Sequence, residues 1–117
     1  MSGKLTTHVL DTTHGRPAAG LALRLYRVGD VTEQICAKTT NDDGRVDGPI
    51  LDGDNFTPGK YRLSFEVAAY FRAQGVALPQ PPFLDIVTID FGITDAAAHY
   101  HVPLLVSPYG YSTYRGS

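Results

Sequence analysis

Four groups of residues in this 117-residue chain carry side chains able to do chemistry near neutral pH. They are His8, Arg45, the pair His99 and His101, and the C-terminal run Tyr114-Arg115-Gly116-Ser117. A neutral imidazole accepts a proton near pH 7, so His8 or His101 reads as a general base. For His8 the competing reading is a surface histidine on a strand. His99 and His101 stand two apart and share one face if their segment is extended. Such a pair can also bind zinc when a third ligand is available. Arg45 follows Asp43-Gly44 and offers a planar fork of donors, or simply a solvated turn cation. The fork suits adjacent carbonyl or ring-nitrogen acceptors, or an oxyanion that develops during reaction. Chain ends usually fray. Here a strand-like run reaches Tyr114, so Tyr, Arg, Ser and a free α-carboxylate would be held together where they can orient a histidine or a substrate.

The elements that must hold these groups are short strands between turn signals. Lys4 to Asp11 alternates, with His8 on the opposite face from Leu5, Thr7 and Val9. Leu21, Leu23 and Leu25 alternate with Ala22, Arg24 and Tyr26. A third strand is expected near 34–40, closed by the tight turn Asn41-Asp42-Asp43-Gly44. Pro58-Gly59 leads into Tyr61, Leu63, Phe65 and Val67, the cleanest alternation in the chain. Residues 68–75 read as one short helix stopped by Gly75. Pro79-Gln80-Pro81-Pro82 must be extended. Further strands are expected at 84–91, 100–106 and 109–114. Tyr100, Val102, Leu104 and Val106 would face the core, with Pro103 marking a sheet edge or a bulge. Seven or eight strands and one short helix predict an all-β sandwich, with residues 1–117 as a single domain.

Composition removes several alternatives. A hydrophobic share of 43% with 19% charged residues is that of a folded chain. The net charge of -2, without a run of like charges, argues against nucleic acid or an anionic membrane as partner. Cys36 is the only cysteine, so no internal disulfide forms. Met1-Ser2-Gly3-Lys4 lacks the apolar run of a secretory signal, and no stretch approaches the roughly 18 apolar residues of a membrane span. A cytoplasmic location is therefore expected. Phosphate loop, dinucleotide fingerprint and serine nucleophile elbow are all missing.

Taken together, the segments Leu5-Thr6-Thr7-His8-Val9-Leu10-Asp11-Thr12, Gly15-Arg16-Pro17-Ala18, the turn Thr40 to Arg45 and His99 to Ser117 resemble the transthyretin-like 5-hydroxyisourate hydrolases. The turn around Gly44 and the run Pro58 to Leu63 recur in many prealbumin-like modules and support a fold only. The terminal Tyr114-Arg115-Gly116-Ser117, with His8 and His101, is the specific mark. The resemblance implies a transthyretin-like sandwich with His8, Arg45 and His101 as catalytic residues and Tyr114 to Ser117 as substrate-binding. His99 matches no catalytic position. It further implies a homotetramer with sites at the dimer–dimer interface, each built from more than one subunit, and no metal or organic cofactor.

The implied reaction is hydrolytic ring opening of 5-hydroxyisourate in urate degradation. It needs a base for water, donors for an oxyanion and a proton for the leaving nitrogen. His8 and His101 could divide the proton transfers in either sense. Arg45 would anchor the planar ring and stabilise negative charge. Two other readings have distinct marks. A non-catalytic small-ligand carrier needs neither the histidine pair nor the terminal tetrapeptide. A zinc hydrolase would use His8, His99 and His101 as ligands with one position left open.

Overall fold

The computed structural model describes residues 3–116. Strand β1 (Lys4–Asp11) follows its predicted bounds, and its alternate residues Leu5, Thr7, Val9 and Asp11 are buried. The remaining elements are β2 (Arg16–Pro17), β3 (Ala22–Val28), β4 (Glu33–Thr39), β5 (Leu51–Asp52), β6 (Gly59–Phe65), α1 (Val67–Ala73), β7 (Val87–Ile93), β8 (His99–Ser107) and β9 (Gly110–Thr113). A single 3-10 turn covers Gly53–Asn55. Among the described residues, seven of the nine strands are four residues or longer, in keeping with the seven or eight expected. β2 and β5, at two residues each, are too short to leave a period in the sequence.

The strands form two sheets. One has the order β2-β1-β8-β9, with β5 also paired to β1; the other has the order β4-β3-β6-β7. Their inner faces interlock through Leu5, Val9, Val102 and Leu104 on one side and Leu23, Leu25, Leu63 and Phe65 on the other. Full burial of each such aliphatic or aromatic side chain stabilises by about 1.5–3 kcal/mol. The result is an all-β sandwich with one short helix.

Three elements depart from expectation. Val67 continues the apolar alternation of β6 but opens α1, and it is buried there beside Tyr70 and Phe71. The helix ends where Gly75 takes φ +84°, as its sequence position suggested. The strand expected at 84–91 runs instead over Val87–Ile93, because only these residues pair with β6, and Ile86 just before them is left exposed. Pro103 marks neither an edge nor a bulge. β8 lies between β1 and β9, and its register with β1 runs unbroken from His99 to Val106. Extending the β8–β9 register brings Pro103 opposite Tyr114, where its missing N–H leaves a gap in the ladder. The Thr113 hydroxyl donates to the Pro103 carbonyl across that gap at 2.7 Å.

Candidate active site

The parallel pairing of β1 with β8 sets Lys4 opposite His99 and Thr6 opposite His101. Side chains alternate along both strands, so Thr6, His8, His99 and His101 all point off the outer face. The Thr6 hydroxyl lies 2.7 Å from His99 Nε2 and 2.8 Å from His101 Nδ1. Sequence reasoning passed over Thr6, although it stands two residues before His8 on the same strand face.

The turn 41–44 supplies the facing wall. Asn41 Oδ1 accepts from the Asp43 amide at 2.9 Å and the Arg45 amide at 3.2 Å. Gly44 takes φ +77°, and a side chain there would run into the Val9 carbonyl. The turn therefore lies hard against β1, bonded from the Val9 amide to the Gly44 carbonyl at 2.8 Å. That closeness brings the Asp43 carbonyl within 2.7 Å of His8 Nε2. A carbonyl only accepts, so His8 Nε2 carries a proton and its Nδ1 is the nitrogen left to accept one. Arg45 projects from the same turn, and its guanidinium makes no ion pair among the described residues.

Arg45, His99 and His101 line one cleft of about 440 Å³, together with Lys4, Thr6 and Val46. Burial lowers the His101 pKa below the usual histidine value, and the charges of Arg45, His99 and His8 lower it further. A neutral His101 at pH 7 is thus built into the surroundings. His8 shares the sheet face but is tied to Asp43 and does not line the cleft.

The terminal segment divides. The Gly116 amide donates to the His101 carbonyl at 2.7 Å, and a Cβ on Gly116 would stand 2.6 Å from His101 Cδ2. Glycine there lets the chain pass flat against the imidazole. The side chains of Tyr114 and Arg115 instead line a groove on the other side of the sheet, with Tyr100 and Val102. The Arg115 guanidinium sits 4.0 Å from the Tyr100 ring centre and donates to the His99 carbonyl at 3.3 Å, pinning the segment along β8. Ser117 lies outside the described residues.

Zinc ligation finds no ready frame, since among the described residues no three His, Cys, Asp or Glu side chains group to hold a metal ion. Among the described residues no helix is long and apolar enough to cross a membrane.

The model of the HIUase/Transthyretin family matches residues 5–116 of the chain. The chain belongs to the HIUase/Transthyretin family. Within it, the chain is 61% identical over 117 residues to 5-hydroxyisourate hydrolase 2 of Rhizobium meliloti, spanning 99% of this chain and 98% of that one. Among solved structures it is similar to (S)-allantoin synthase, with a TM-score of 0.95 and 45% identity over 99% of this chain. The chain spans only 44% of the length of that protein. It is also similar to sea bream transthyretin in complex with thyroxine, at a TM-score of 0.86 and 28% identity, covering 97% of this chain and 94% of that chain. In this HIUase/Transthyretin chain two neighbouring histidines of the outer sheet face share a cleft with an arginine that has no ion-pair partner among the described residues.

Proposed function

We propose that this chain is a hydrolase that opens the ring of 5-hydroxyisourate to give 2-oxo-4-hydroxy-4-carboxy-5-ureidoimidazoline. One observation carries the proposal: His101 and Arg45 line one cleft in a chain 61% identical, almost end to end, to a 5-hydroxyisourate hydrolase. His101, held neutral, takes a proton from water as the water oxygen bonds to a ring carbonyl carbon. Arg45 offers its donors to the oxygen that becomes negative. The carbon–nitrogen bond then breaks and the nitrogen receives a proton. His8, with its Nδ1 free to accept, holds a polar edge of the substrate. Gly116 sets the position of the His101 ring, and the run Tyr114 to Ser117 serves substrate binding across the assembled subunit interface.

The reading includes residues 1–117 as one domain, a cytoplasmic location and a homotetramer. The grooves that carry Tyr114 and Arg115 lie apart from the histidine cleft in one chain. Assembly through the dimer–dimer interface would bring a second subunit's terminal segment toward each site. No cofactor or metal enters any step. Mixing the protein with freshly generated 5-hydroxyisourate and following its ultraviolet absorbance tests the reading. Decay much faster than the spontaneous rate is expected, and decay at the spontaneous rate would reject it.

A further inference from the structure

His99 has no part in the steps above, yet its ring is joined to that of His101. The Thr6 hydroxyl bridges them at 2.7 and 2.8 Å. A hydroxyl has one proton to donate and two lone pairs. Two complete arrangements follow. In the first, His101 Nδ1–H donates to Thr6 and Thr6 donates to His99 Nε2, which leaves a lone pair on His101 Nε2. In the second, His99 Nε2–H donates to Thr6 and Thr6 donates to His101 Nδ1, so His101 Nε2 carries the proton.

We propose that Thr6 and His99 are positioning residues that carry the proton taken up by His101 away from Arg45 and return it for the leaving nitrogen. The inference rests on the hydrolase reading. In the first arrangement His101 Nε2 removes a proton from water as the carbon–oxygen bond forms. Its Nδ1 proton passes to the Thr6 oxygen, and the Thr6 proton passes to His99 Nε2. Positive charge then rests on His99, which is exposed, and not on His101, which is partly buried beside a guanidinium. When the carbon–nitrogen bond breaks, His101 Nε2–H protonates the nitrogen while the proton on His99 returns through Thr6 to His101 Nδ1. Both rings end neutral and in their starting forms, so the cycle consumes one water and no other reactant.

The charged and titratable groups around His101 agree with this direction. They are Arg45 from the turn, His8 on β1 and His99 on β8, with Lys4 at the rim of the same cleft. Toward the terminal segment it meets the Gly116 backbone. Among the described residues, none of these groups is an acid that could hold an imidazolium in place.

The experiment compares wild type with Thr6→Val, which keeps the β-branched shape without the hydroxyl, Thr6→Ser, which keeps the hydroxyl, and His99→Gln, which keeps a polar group but holds no titratable proton. Thr6→Val and His99→Gln should lower kcat about 10- to 100-fold with KM little changed, a fraction of the 100- to 10,000-fold typical of general acid–base catalysis. Thr6→Ser should stay near wild type, and added imidazole buffer should restore rate to His99→Gln. Ring 15N resonances of His99 and His101 in the free protein should both shift in Thr6→Val and return in Thr6→Ser. If the wild type turns over 5-hydroxyisourate and kcat is unchanged in both Thr6→Val and His99→Gln, the relay is overturned while the reaction stands. Unmoved ring resonances in Thr6→Val would equally remove the bridge. Absence of turnover by the wild type removes the reaction and the relay together.

Discussion

Strand β1 meets a histidine at each end, and the two rings live in opposite surroundings. Beyond its C-terminal end, His14 Nδ1 is 2.6 Å from the buried Asp11 carboxylate. The same carboxylate accepts from the Tyr70 hydroxyl at 2.8 Å and the His14 amide at 3.0 Å. Burial works to raise the Asp11 pKa, but these hydrogen bonds outweigh it and hold the group below its usual range. Tyr70 is pushed up to about 12, first by burial and then by its bond to Asp11. Toward the other end, His101 meets a neutral hydroxyl, two imidazoles and a guanidinium. A ring held by a carboxylate ties the turn 12–16 and α1 to the sheet. A ring held by a hydroxyl, among cations, stays neutral and free to exchange protons.

Exchanging the roles of these clusters should fail in graded ways. His101→Asn should cost about 100- to 10,000-fold in kcat/KM by the absorbance assay, the usual range for an acid–base group, with the melting temperature nearly unchanged. Activity near wild type would show that the second cluster is not the reactive one. Gly116→Ala should cost up to about 100-fold, since the added methyl displaces the His101 ring and small misplacements at reacting groups are expensive. A fully active alanine variant would break the argument that the flat passage of the chain sets the ring.

Effects at the first cluster should appear in stability instead. Asp11→Ala leaves the Tyr70 hydroxyl and the His14 amide without their acceptor, which should lower unfolding free energy by about 1–3 kcal/mol in urea titration. Turnover per folded molecule should be retained. The pH dependence has two signs. The folded Asp11 pKa is lowered, so its contribution is present above the unfolded value near about 4 and is lost as pH falls below it. The folded Tyr70 pKa is raised, so its contribution is present below about 10 and is lost as pH rises toward about 12. Tyr70→Phe should remove the alkaline loss, and a variant that still shows it would point to another group.

The smallest effect concerns the proton itself. A lowered His101 pKa keeps the base form to pH values under the ordinary 6.5, so kcat/KM should fall only as pH drops below that value. Arg45→Gln removes one of the charges that lower it and should move the acid limb upward, beside its larger loss of rate. An acid limb that stays fixed would mean that Arg45 does not contribute to lowering the His101 pKa.

Period-two alternation was enough to put His8, His99 and His101 on outward faces and Tyr100, Val102 and Leu104 in the core, because a strand offers only two faces. The turn at Gly44 and the stop at Gly75 were legible for a similar reason, as glycine there answers a local backbone need. Pro103 was read for the right property and the wrong consequence. Its missing N–H does break a ladder, but on the side of Tyr114 within an interior strand. Which neighbour a proline faces depends on strand order, and strand order is not written in any local window.

The sequence by itself determined the two-faced strands, the turns and the specific terminal run Tyr114 to Ser117, since these follow from local geometry and residue type. Only the tertiary structure decided that Thr6 would stand between two histidines more than ninety positions away. It likewise decided that the terminal run would touch His101 with a glycine backbone while Tyr114 and Arg115 turn to the opposite side of the sheet. The first depends on the parallel register of β1 with β8, which burial of the two apolar faces fixes, and the second on the antiparallel register of β8 with β9 continued to the His101–Gly116 bridge.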